Sequence, residues 1–109
     1  MKNQIFSEVV TINAKIAQQW ITKHDSLPPP EGQQKNRKVD DNLVDRYAHQ
    51  MKKGLWDVNG EGIIIAESGR LLNGQHRLHA VIKSGKTIQS VVIYGVEEEA
   101  FKTIDTGKT

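Results

Sequence analysis

The residues best equipped for chemistry crowd into one stretch, Asn73-Gly74-Gln75-His76-Arg77, with His79 and Lys83 close behind. Asn-Gly predicts a tight turn, and residues 75–84 after it predict a short amphipathic helix with Leu78, Val81 and Ile82 on its buried face. A helix start carries backbone N–H groups with no intrahelical partner and a partial positive charge. A glycine there lets a ligand approach the backbone closely. Asn73 reads as either the N-cap or a turn residue with positive φ. With Arg77 and His76 added, the stretch suits an anion, above all a phosphate. The positive helix end disfavours an imidazolium at His76, which makes it a neutral hydrogen-bonding group or a base. The plainer alternative is that Asn73-Gly74 is only a turn and Arg77 only a surface ion-pair partner.

Other chemistries find less support. His76 and His79 could hold a metal, but His-x-x-His without a third ligand is a weak signal, and no metal site is assigned. No serine sits in a nucleophile-elbow pattern, so no Ser-His-Asp triad is supported. His24 and His49 read as solvated helix residues. Asp105, taken alone, reads as a turn residue in a polar tail. Asn36-Arg37 precedes the second helix; its arginine either reaches a phosphate bound at Gly74 or is a solvated residue closing a loop.

The elements that must position these residues follow from patterning. A strand is expected over 9–12, then a helix over 14–24 capped by Asn13, with Ile16, Ala17, Trp20 and Ile21 on one face. Residues 25–38 hold Pro28-Pro29-Pro30 and Gly32 and predict a long loop, either functional or mobile. Asp40 caps a second helix over 41–53 with Leu43, Val44, Tyr47, Ala48 and Met51 on its apolar face, and Trp56 closes the core. Residues 63–66 and 71–72 predict strands joined by a turn at 67–70. Residues 88–94, with the run Val91-Val92-Ile93, predict a central strand buried on both faces. A last helix is expected over 97–103. Short strands interspersed with helices predict α+β, one small mixed sheet with flanking helices.

The 109 residues suit one small domain. At 37% hydrophobic and 26% charged the chain is globular in composition, and a net charge of +2 is too low for coating DNA by charge alone. There is no cysteine, which removes disulfides, thiolate metal sites and cysteine nucleophiles, and fits a cytoplasmic protein. No signal peptide and no apolar run approaching the roughly 20 residues of a membrane span are evident, so no membrane partner is expected.

The order Asn36-Arg37, then Lys53-Gly54-Leu55-Trp56, then Gly69-Arg70-Leu71-Leu72-Asn73-Gly74-Gln75-His76-Arg77-Leu78-His79-Ala80, then Ile104-Asp105-Thr106-Gly107 resembles the ParB/sulfiredoxin superfamily. The resemblance covers roughly residues 9–109. It is nearest to the phage and mobile-element proteins labelled ParB-like nuclease domain. It implies a nucleotide phosphate at Asn73, Gly74, Gln75, His76 and Arg77, assisted by Asn36 and Arg37, with CTP or ATP as ligand and Mg2+ carried on the phosphates. It also implies His76 and Asp105 as groups that position a water or a metal. In the sulfiredoxin branch a cysteine does the chemistry; Gln75 stands in its place here, which rules out sulfinic-acid repair. Similar proteins tend to continue past the Asp-Thr-Gly segment, so a shortened version is expected. The sequence has no room for the DNA-binding and dimerisation domains of the chromosome-partitioning branch.

Three functions are therefore expected in this order. The first is a phosphate-binding domain for a nucleotide or nucleic acid, with NTPase or phosphotransferase chemistry if active. The second is a DNA-binding or host-defence-blocking regulator without catalysis, using Lys35, Arg37, Lys38, Lys52, Lys53 and Lys83 as a basic patch. The third is a metal-dependent nuclease, for which Asp40, Asp41 and Asp105 are the available acids. A dimer is compatible with all three.

Overall fold

Asn13 ends the first strand and starts the first helix: its backbone is extended and its Oδ1 accepts the Ile16 N–H at 2.9 Å. The same device recurs at Asp40, whose carboxylate accepts the N–H groups of Asn42 and Leu43. In the computed structural model, which describes residues 5–28, 39–56 and 62–97, these caps set the elements β1 (Phe6–Ile12), α1 (Ala14–Ser26), α2 (Asp41–Lys52), β2 (Ile63–Ala66), β3 (Leu71–Asn73), α3 (Gln75–Ser84) and β4 (Ile88–Val96). The strands form one mixed sheet in the order β1-β4-β2-β3, and the three helices complete a compact α+β domain. β4 pairs antiparallel with β1 and parallel with β2, while β3 returns antiparallel to β2. The parallel pair requires a crossover, which α3 supplies.

The core lies between one face of the sheet and the helices. Ile12, Ile63, Ile88 and Val92 from the strands meet Ala17 and Ile21 of α1, Val44, Ala48 and Met51 of α2, and Leu78, Ala80 and Val81 of α3. α3 sits in the middle, touching both α1 and α2. Trp56 packs edge-on against Tyr47 and is half-buried. Among the described residues no helix is long and apolar enough to cross a membrane.

Several expectations change in detail. β1 begins three residues earlier than predicted, because Phe6, Ser7 and Glu8 pair with Tyr94, Ile93 and Val92 of a strand that itself runs on to Val96. β4 is central, as expected, but it is not buried on both faces. Ile88, Ser90 and Val92 are buried while Gln89 is exposed and Val91 and Ile93 are half-buried. All helices lie over one face, so a continuous apolar run here did not signal a two-sided strand. His24 is not solvated; it is buried on the stripe of Ala17 and Ile21, one turn further along α1. Beyond Glu97 the expected helix over 97–103 lies outside the described residues, as does the loop centre at 29–38.

Candidate functional site

The start of α3 is built by packing first. Gly74 is the N-cap in the left-handed region, φ +99°, and a Cβ there would lie 2.7 Å from Ile63 Cγ1 and 3.1 Å from Ile63 Cα. The glycine is therefore demanded by the turn and by close contact with β2, rather than by room for a ligand. Asn73 is neither the cap nor a positive-φ residue; it is the last residue of β3, and its Nδ2 donates to the Gly62 carbonyl at 2.9 Å. That bond ties β3 to the entry of β2 and occupies one of the two N–H donors of the side-chain amide.

The anion-binding capacity of this helix end lies in its backbone. No side chain caps α3 and its first turn has no acidic residue. The first helical bond runs from Leu78 N–H to the Gly74 carbonyl, which places the amides of Gln75, His76 and Arg77 ahead of the hydrogen-bonded ladder. Gln75 and His76 are half-buried. Arg77 is not a surface residue: only 6% of it is exposed, on the first turn of α3. A guanidinium is a rigid planar fork of N–H donors.

His76 has an occupation. Its Nε2 accepts the Asp40 N–H at 3.0 Å, joining the starts of α2 and α3. The accepting nitrogen carries no proton in this arrangement, so His76 meets α2 as a hydrogen-bond acceptor. Lys83 pairs with Asp45 of α2 and its pKa is raised, first by that hydrogen bond and then by the Asp45 charge. His79, between them on the same stripe, has its pKa lowered, chiefly by burial and against the opposing charge of Asp25. The two ends of the polar stripe, His76 and Lys83, thus serve the α2–α3 contact. Lys52 and Lys53 are exposed near the end of α2, whereas Lys35, Arg37 and Lys38 lie outside the described residues.

Two further polar groups went unrecognised in the sequence. His24 Nδ1 accepts the Leu71 N–H at 2.9 Å inside the fold, fastening α1 to β3. Arg70, 8% exposed, donates through Nη2 to the Pro28 carbonyl, joining the β2–β3 turn to the end of α1. The signal for His24 was present: positions 17, 21 and 24 repeat at helical spacing. Arg70 gave none, because its partner is a distant backbone carbonyl.

Asn36, Arg37 and Asp105 lie outside the described residues, so the structure brings together Asn73, Gly74, Gln75, His76 and Arg77 alone. Among the described residues no group of three His, Cys, Asp or Glu could hold a metal ion, and Oδ1 of Asp40 accepts two α2 amides. A cleft of about 410 Å³ lined by Met51, Lys52, Trp56, Lys86, Thr87 and Gln89 lies at the opposite end of α3 from Gly74. It does not coincide with the candidate site. The chain matches no family model, no curated protein and no solved structure.

Proposed function

We propose that the start of α3 binds a phosphate group, and that the domain is a nucleotide-binding module of ParB/sulfiredoxin type. The observation that carries this reading is the uncapped, acid-free first turn behind Gly74, with the buried Arg77 on the same turn. α1 and α2 each close their first amides with their own side chain; α3 does not. Amides at a helix start bind anions through hydrogen bonds and the helix dipole together. Magnesium, where present, rides on the phosphate oxygens, since no ligand cluster of the described residues would hold it alone. Asn73 and His76 hold the turn in place rather than touching the ligand, and the reading is one of binding ahead of catalysis.

The test is calorimetric titration with CTP, ATP, GTP and UTP in magnesium, comparing the native chain with Gln75→Glu. Arg77→Ala empties a buried position and confuses binding with folding. Gln75→Glu instead places a carboxylate at the first helical position, where the dipole welcomes it and a phosphate does not. Saturable binding that Gln75→Glu abolishes, with the fold intact, supports the site. A folded native protein that binds none of the four nucleotides overturns it, and duplex DNA titrated at two salt concentrations is then the next ligand.

A further inference from the structure

The sheet ends in two edges of different character. β3 is three residues long, too short to recruit another strand. β1 is seven residues long and pairs with β4 without any register shift. Among the described residues its outer edge has no strand partner in the sheet. Of the usual guards against pairing it lacks proline, lysine and a bulge. Its single charge, Glu8, lies near Tyr94 of its own sheet and, after burial, helps to raise the pKa of that phenol. Of the four exposed large apolar residues among the described residues, Ile5, Phe6 and Val9 lie on β1 or at its mouth, with exposures of 61%, 55% and 56%.

We propose that β1 is a homodimerisation edge, on which a second copy adds its own β1 antiparallel to give one continuous sheet. The strand's own sequence selects the register. Residues directly opposite each other must share a face, which excludes half of the possible alignments. An alignment centred on Glu8 sets two carboxylates against each other. The alignment centred on Val9 overlaps the whole of Phe6–Ile12 with itself. It opposes Glu8 to Val10, Ser7 to Thr11 and Phe6 to Ile12 of the second copy, with no like charges facing. Because Val9 already pairs with Val91, this alignment makes an unbroken row of four valines across the junction on the face away from the helices. Such pairing satisfies an open row of backbone donors and acceptors and buries the exposed apolar side chains in one step.

The absence of native cysteine makes the test clean. In the Val9-centred register the two Val9 Cα atoms stand about 4.5–5.5 Å apart, inside the span a disulfide accepts. Val9→Cys is expected to give a disulfide-linked dimer under mild oxidation. Ser7→Cys, on an equally exposed position, is expected to give none, because its two copies lie about 14 Å apart along the strands. Light scattering on the native chain is expected to return twice the 12.2 kDa of one chain. Val9→Lys, which puts two ammonium groups in opposition, is expected to return the single mass with its circular dichroism unchanged. A native chain that stays monomeric at its highest soluble concentration overturns the proposal. So does a dimer that Val9→Lys leaves intact, or cross-linking equal at positions 7 and 9.

Discussion

Replacing Gly74 by alanine tests how the α3 start is held. The residue sits at φ +99°, where an L side chain strains the backbone by about 1–2 kcal/mol. The added methyl also meets Ile63 Cγ1 at 2.7 Å and Ile63 Cα at 3.1 Å, and Ile63 is fully buried with nowhere to move. Overpacking of that kind costs about 1–3 kcal/mol. Together the two effects predict a loss of about 2–5 kcal/mol, against a total of about 5–15 kcal/mol for a domain of this kind. Gly85→Ala is the matched control, since Gly85 ends the same helix at φ +73° with no atom within 4 Å of the added methyl. Urea unfolding of both variants separates the parts: Gly85→Ala reports backbone strain alone, and the excess in Gly74→Ala reports the collision with β2. An Ile63→Ala background should shrink that excess, because it removes the nearest atom. If Gly74→Ala costs no more than Gly85→Ala, the glycine is not there for packing, and room for a ligand becomes the better account of it.

Gln75→Glu should hold or raise the unfolding midpoint, by about 0.3–1 kcal/mol at low salt, with the gain fading as salt is added. His76→Ala should cost about 0.5–1.5 kcal/mol and speed hydrogen exchange at the Asp40 amide more than at the middle of α2, since that amide loses its acceptor. His24→Leu should cost about 1–3 kcal/mol beyond any packing change by stranding the buried Leu71 N–H, which His24→Gln can partly recover through its amide oxygen. His79 titrates below its ordinary value of 6.5 because burial disfavours its charged form. The unfolded chain therefore binds the proton more readily. Stability is undiminished above that value and falls as pH drops through it, and His79→Gln should flatten the urea midpoint against pH on that acid limb.

The local devices were legible because their causes are local. Asn13 and Asp40 cap their helices through bonds two or three residues away. Gly85 stops α3 in the left-handed conformation, and the range of α3 itself follows from spacing and its flanking glycines. The apolar face of α2 was legible for the same reason. Partners that are far apart in the chain were not. Nothing near Asn73 announces that its amide reaches Gly62, and nothing near His76 announces Asp40, 36 residues earlier.

The sequence by itself determined the α+β class, the extents of α1, α2 and α3 to within a residue or two, and the place of the Asn73-Gly74 turn. These depend on side-chain periodicity and on hydrogen bonds within one turn of the chain. Only the tertiary structure decided what each polar residue of that turn is for. Asn73 was drawn to β2, His76 to the start of α2, and Arg77 into the interior, because strand pairing and the packing of α3 between α1 and α2 choose neighbours that no spacing along the chain encodes.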